Sequence, residues 1–262
     1  MGLEKVDYAG IAQDYDCVRS PNNPHVQWWI ERLAEAGALA PGKELLDLGC
    51  GTGRWSLLLA ERTGCRCIGV DNSPEMLARA KEKDEAGRCE WLLGDAVDPP
   101  VPQESCNVVL MSLLLHLVED VPAIFRAALQ RLREGGILLV RQPTLEQLGG
   151  DPIHRFFPES LAIERRRTPL RREIEFWLEE AGFTSILVKP VRMRCYHSLD
   201  AWYEEIRLRV ASILRLLSDD VFQRGLERCQ QYVREHPDNI AFLENDEMTL
   251  FVARKPPLEN SQ

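Results

Sequence analysis

The sequence predicts a doubly wound α/β fold, a mostly parallel sheet of seven strands with helices on both faces. Three observations carry that prediction. Seven short apolar runs are interleaved with amphipathic stretches of helical period, the pattern of strands and crossover helices. The run Leu45–Leu48 enters Gly49-Cys50-Gly51-Thr52-Gly53 and then a helix, so a buried strand feeds a glycine turn that opens on a helix N-terminus. Glycines there let the backbone turn sharply and approach a ligand, and the unpaired N–H groups of the helix start favour an anion. The next strand ends on an acid, Asp71, about 20 residues past the glycines, where a carboxylate can accept hydrogen bonds from a ribose diol.

The elements follow in order. Residues 6–20 form an arm before the core, and Pro21 and Pro24 break it off. His25 to Gly37 reads as a helix with Val26, Trp29, Ile30 and Leu33 on one face. The adjacent Trp28 and Trp29 read as a core residue with a half-buried neighbour, or as the wall of a site. Glu44–Leu48 is the first strand, and the helix after the glycines runs from Arg54 to about Thr63. Arg66–Val70 is the second strand. Ser73-Pro74 opens the next helix with an N-cap serine and a proline at its first position. Met76, Leu77 and Ala80 of that helix face inward, and Lys81 and Lys83 face outward. Cys89–Leu93 and Asn107–Met111 are the third and fourth strands, joined by a proline-rich loop. A helix from Asp120 to Arg133 stops at Gly135-Gly136 and leads to the fifth strand, Ile137–Val140, which reaches Arg141-Gln142-Pro143 at the sheet's C-terminal edge.

Residues 144–168 show little apolar periodicity. Leu170–Glu180 reads as a helix and Thr184–Val191 as the sixth strand. Asp200–Leu217 and Asp220–Glu235 read as two helices, and Glu247–Ala253 is the last strand. The helical pair, inserted before the last strand, is placed to cap a site.

Composition bounds the function. The chain has 262 residues, 45% of them hydrophobic, enough for one sizeable α/β domain with an inserted subdomain. A net charge of −9 argues against a nucleic-acid surface spread over the whole protein. Residues 151–215 nevertheless carry 12 basic against 10 acidic residues; the plain reading is a solvated face, and the other is a patch that draws an anionic ligand. No apolar run is long enough to predict a membrane span, and the start, MGLEKVDYAG, lacks the features of a signal peptide. The eight cysteines are scattered, without C-x-x-C or zinc spacing, so a reduced, cytoplasmic chain without a metal is expected. Cys65 and Cys67 share one face of a strand and come nearest to a cluster; the plain reading is that they flank a buried strand start.

The loop G-x-G-x-G differs from the dinucleotide fingerprint, because Arg54 stands where G-x-G-x-x-G needs its last glycine. Five motifs in order, LLDLGCGTG, IGVDNSPEML, WLLGDA, NVVLMSLLLHL and LREGGILLV, resemble the class I S-adenosylmethionine-dependent methyltransferases, in particular the type 11 small-molecule branch. The resemblance covers residues 7–143. It implies a Rossmann-like sheet with an antiparallel last strand, and S-adenosylmethionine as cofactor. The division it implies is a lid and helix at 1–40, a cofactor-binding core at 41–143, and the end of the sheet at 144–262 with a helical cap at about 198–236.

The resemblance also assigns residues. Tyr8, Tyr15 and Arg19 would close over the cofactor. Gly49, Cys50, Gly51 and Gly53 would contact its carboxypropyl part, with Asp47 ordering the loop. Asp71 and Asn72 would hold the ribose, Asp95 and Ala96 the adenine edge, and Met111 and Ser112 the methionine part. His116 resembles the first histidine of a pair that some relatives use as a base, although Leu117 stands in place of the second. The expected reaction is methyl transfer to an O, N or C atom of a small, possibly anionic, metabolite. The alternatives are a transfer RNA methyltransferase, which would carry a basic, aromatic-rich extension, and a cofactor-binding protein without catalysis. A nicotinamide oxidoreductase ranks last.

Overall fold

The computed structural model describes residues 23–193, 196, 198–239 and 246–257. Seven strands form one sheet: β1 (Glu44–Leu48), β2 (Arg66–Asp71), β3 (Cys89–Leu93), β4 (Cys106–Ser112), β5 (Leu132–Gln142), β6 (Thr184–Met193) and β7 (Asp246–Arg254). Their order across the sheet is β3-β2-β1-β4-β5-β7-β6. The pairs from β3 through β5 are parallel, and β7 runs antiparallel to both β5 and β6. The sheet and its antiparallel last strand are those expected from the sequence. The chain winds outward from β1 to β3 and then restarts at β4 on the other side of β1. That switch point opens a crevice at the C-terminal strand ends, where open α/β sheets bind ligands.

Side-chain alternation along each strand builds two cores. Leu45, Val108 and Leu110 pack with Val26, Trp29 and Leu33 of α1 (Pro24–Ala36) and Leu59 of α2 (Arg54–Thr63). Leu46, Leu48, Val109 and Met111 point to the other face, against Ile124 and Phe125 of α4 (Val121–Arg131) and Ile174 and Leu178 of α7 (Arg171–Glu180). Burying one such side chain contributes about 1.5–3 kcal/mol. α3 (Pro74–Lys83) starts as expected, with Ser73 Oγ accepting from Met76 N, and it packs along β2 and β3.

Two expectations are corrected, and one unassigned stretch gains its structure. The helix from Asp120 ends at Arg131, and β5 begins at Leu132. Leu132 pairs with Cys106, the register then shifts, and pairing resumes with Ile137 opposite Val108. Gly135, at φ +67°, therefore serves a bulge and not a helix stop. Residues 144–168, which show no clear period, fold into a 3-10 turn at Leu145–Gly150 and two helices, α5 (Ile153–Phe156) and α6 (Pro158–Arg167). The stretch Asp200–Leu217 is not one helix. It divides into α8 (Leu199–Arg207) and α9 (Ser212–Arg215), with Arg209 between them at φ +50°.

A third core holds these pieces together with α10 (Asp219–Glu235). Phe156, Phe157, Trp202, Ile206, Leu214 and Phe222 are among its members. The cap is thus built from both sides of β6. Phe157 stacks on Phe222 at 5.8 Å between ring centroids. It also seats against Gly225 of α10, where any Cβ would overlap its ring.

Candidate functional site

The glycine loop lies where the sequence places it, at the end of β1. Gly49, Gly51 and Gly53 have φ of +70°, +55° and +73°, a region that disfavours other residues. Their surroundings differ. A Cβ on Gly49 would lie 2.6 Å from Leu114, and one on Gly53 would overlap the Trp91 ring. A Cβ on Gly51 would meet nothing within 4 Å, so this glycine faces open space. Gly49 N and Cys50 N donate to Val70 O at 2.8 and 3.1 Å, which ties the loop to β2.

Asp71 clasps this arrangement from the end of β2. Gly51 N donates to its Oδ2 at 2.8 Å, and Ser73 N donates to its Oδ1 at 2.9 Å. The backbone N–H of Asn72 also bears on the carboxylate, which keeps lone-pair capacity for a further donor. Burial raises the Asp71 carboxyl above its ordinary range, against these backbone hydrogen bonds. Asp47 sits beneath the loop, 1% exposed, and accepts from Ser56 Oγ of α2 at 2.6 Å. Burial pushes its pKa up to about 7, the Ser56 hydrogen bond works against that, and Asp71 adds to the rise. The Cys50 thiol is buried and held well above its usual range, chiefly by that burial, so it is no nucleophile.

Asn72 and Asp95 are exposed at neighbouring strand ends, and Gly94 N donates to Asp71 O at 3.0 Å. Asp95 Oδ1 accepts from Val97 N at 3.0 Å, while Ala96 packs against the core. Met111 pairs in register with Leu48, which sets Met111 and Ser112 beside the loop. The structure therefore gathers Asp47, the glycine loop, Asp71, Asn72, Asp95, Ala96, Met111 and Ser112 along one sheet edge. Tyr8, Tyr15 and Arg19 lie outside the described residues.

One side chain beside this edge carries no sequence signal of its role. Arg141, 4% exposed, lies between Trp29 and Trp55 at 4.7 and 5.0 Å from their ring centroids. Its Nη1 donates to Ser112 Oγ at 3.3 Å. Trp29 is wholly buried core and Trp28 half-buried. Cys65 and Cys67 are buried in the same core, and among the described residues no group of three or more His, Cys, Asp or Glu is placed to hold a metal.

Past Ser112 the chain reaches a cavity of about 200 Å³ between the sheet edge and the cap. Leu113, His116, Gln142, Ser212 and Trp202 are among its walls. His116 sits on the 3-10 turn Leu115–Leu117. Its Nδ1 lies 3.2 Å from Gln142 Nε2, and its Nε2 lies 3.3 Å from Ser212 Oγ. With Gln142 as donor, Nδ1 accepts, and the Nε2–H is left to donate to Ser212. Arg167 Nε donates to the His116 carbonyl oxygen at 3.1 Å. Burial, and then the Arg167 charge, push the imidazole pKa down to about 4. The ring is neutral at physiological pH, with both nitrogens engaged.

Residues 46–140 match the family model described as a methyltransferase domain, type 11. The arsenite methyltransferase of Halobacterium salinarum is 29% identical over 195 residues, covering 72% of this chain and 47% of that protein. The erythromycin 3''-O-methyltransferase of Saccharopolyspora erythraea is 29% identical over 212 residues, covering 75% and 65%. The chain spans about half the length of the first curated relatives it matches. The solved phosphoethanolamine N-methyltransferase 2 of Haemonchus contortus, in complex with S-adenosyl-L-methionine, shares the fold with a TM-score of 0.62 and 23% identity, covering 95% of this chain and 57% of that one.

Proposed function

The chain carries a type 11 methyltransferase domain of the class I, S-adenosylmethionine-dependent family, and on that premise we propose that it methylates a small molecule held in the cavity between the sheet edge and the cap. The observation that carries this reading is the joined geometry. An open glycine loop clasped by Asp71 stands on one side of the β4 exit, and a partly open cavity stands on the other. S-adenosylmethionine, when bound, supplies a methyl group already activated by its sulfonium. The protein's task is to orient the two reactants and to exclude water.

In this reading the N–H groups at the start of α2 receive the cofactor's carboxylate, and Gly51, which has open space around it, leaves room for it. Asp71, with Asn72, accepts from the ribose hydroxyls through its remaining lone pairs. Asp95 and Ala96 meet the adenine edge, and Met111 and Ser112 border the methionyl part. Tyr8, Tyr15 and Arg19 keep the cofactor-contact role that the family resemblance gives them. His116 is read as a substrate-contacting and positioning residue. A pKa near 4 is far from the operating pH that suits a general base, and its hydrogen bonds join β5 to the cap. The described cysteines are free thiols, which fits the cytoplasmic setting proposed for the chain.

The test uses S-adenosylmethionine with a labelled methyl group, incubated with the purified protein and a cell extract divided into small-molecule, RNA and protein fractions. Label in the small-molecule fraction, lost with Asp71→Ala, is the expected result. Label in the RNA fraction, or none in any fraction from a protein that binds the cofactor, contradicts the proposal.

A further inference from the structure

We propose that Leu113 limits the bulk the methyl acceptor can carry beside its reacting atom, and that this acceptor is a compact, neutral hydroxyl compound of about one ring; the proposal rests on the methyl-transfer reading above and names the substrate class of the same site. Leu113 has φ +56°, in a backbone region that costs a residue with a Cβ about 1–2 kcal/mol. The fold holds it there, because Leu113 N donates to Arg141 O at 2.9 Å. Strain of this kind gathers at ligand sites. The bend also sends two consecutive leucines to different tasks. Leu114 is buried against the glycine loop, where a Cβ on Gly49 would lie 2.6 Å from it. Leu113 lines the cavity instead. It follows Ser112 at the end of β4 and precedes the turn that carries His116. It therefore stands where acceptor and cofactor must meet.

The rest of the cavity sets the class. Its volume is about 200 Å³. Benzene occupies an apolar protein cavity of about 150 Å³, so a ring with a few further atoms matches this space. Leu148, Trp202, Val210, Ile213 and Met248 give it apolar walls. No arginine or lysine lines it among the described residues, so the basic excess of residues 151–215 does not reach it to hold an anion. Its carboxylates are engaged within the protein and call for no cation. Glu164 Oε2 lies 3.1 Å from His154 Nε2, Asp151 Oδ1 accepts from Ile153 N at 2.8 Å, and Glu205 also has a partner.

The polar corner is His116 Nε2 at 3.3 Å from Ser212 Oγ. A hydroxyl both donates and accepts, so it can pair with these groups in either tautomer of the ring. In the transfer the acceptor oxygen gains the methyl group, the carbon–sulfur bond breaks with its electron pair going to sulfur, and the hydroxyl proton passes to solvent.

The experiment is calorimetric. S-adenosylhomocysteine is titrated first: failure to bind overturns the methyl-transfer reading, and the proposal falls with it. To the protein saturated with S-adenosylhomocysteine, phenol, 2-isopropylphenol and 4-isopropylphenol are then added. The two isomers match in size and apolar surface and differ in whether the bulk lies beside the hydroxyl. The wild type should bind phenol, and should bind the 4-isomer about tenfold tighter than the 2-isomer, as expected for a methylene or two that an apolar site cannot admit. Leu113→Ala should bring the isomers within about twofold of each other by strengthening the 2-isomer. Leu113→Gly carries the same expectation and relieves the positive φ, should the alanine variant fail to fold. Equal binding of the isomers by the wild type, an isomer ratio unchanged in a folded variant, or no probe bound by a protein that holds S-adenosylhomocysteine overturns the proposal.

Discussion

The hydrogen bonds that shape the glycine loop join residues 2, 9 and 20 positions apart, whereas those around His116 span 26, 51 and 96 positions. The first region is a local device. Backbone conformation and one strand crossover place Asp71 against Gly51, and little else is needed. The second is assembled from pieces that meet only when the chain is folded: a turn after β4, the end of β5, and α6 and α9 from the cap. The difference separates a locally encoded loop from a cavity built by tertiary packing. The local region forms from neighbouring segments, and the assembled region can change its walls without disturbing the loop.

Substitutions within the loop should separate packing from ligand access. Gly53→Ala combines a positive φ with overlap on the Trp91 ring, and is expected to cost about 2–5 kcal/mol of stability by denaturant unfolding. Gly51→Ala has the positive φ but open space around it. Its stability cost should be about 1–2 kcal/mol, with cofactor affinity falling further than stability explains. Equal losses in both properties for the two variants would break the distinction.

Gly225→Ala tests the other region. Its Cβ would collide with Phe157, an overpacking worth about 1–3 kcal/mol that better helix propensity offsets by about 1. Methyl transfer should fall several-fold while S-adenosylhomocysteine affinity stays unchanged. A matching loss of cofactor affinity would show that the two regions are not separable.

The two regions also respond oppositely to pH. Asp47 has a folded pKa of about 7, above its unfolded value of 3.8, so the native state holds the proton more tightly and stability falls as pH rises from about 4 to 7. His116 has a folded pKa of about 4, below 6.5, so its contribution is lost as pH falls from about 6.5 to 4. Unfolding curves at pH 4.5 and 7.5 should show Asp47→Asn gaining on the wild type at the higher pH and His116→Gln gaining at the lower. No difference between the two variants' trends would remove this contrast.

What the sequence made legible follows the same division. Leu45–Leu48, Gly49–Gly53 and Asp71 announce a strand, a turn and a strand end within one short stretch, and the structure puts them where expected. Asp95 was expected two residues past the third strand, and β3 does end at Leu93. The cap was not. Residues 144–168 lack a clear period because α5 and α6 are short and bury isolated residues such as Phe157 against distant partners. The apolar spacing of Ile206, Val210, Ile213, Leu214 and Leu217 reads as one helix, yet Arg209 turns the chain and brings Ser212 to His116. Arg141 and Gln142 could be placed at the sheet edge from the fifth strand alone. Their partners, Trp29, Trp55 and His116, depend on packing that no local pattern encodes.

The central claim is that the Asp71-clasped loop binds S-adenosylmethionine independently of the cap. Calorimetric titration of S-adenosylhomocysteine into the wild type, Asp71→Ala and Ser212→Ala tests it most directly. Losing a charge-assisted contact worth about 1.5–3 kcal/mol should weaken binding to Asp71→Ala by about 10- to 100-fold, and Ser212→Ala should stay within about twofold of the wild type. Unchanged affinity in Asp71→Ala, or an equal loss in Ser212→Ala, would contradict it.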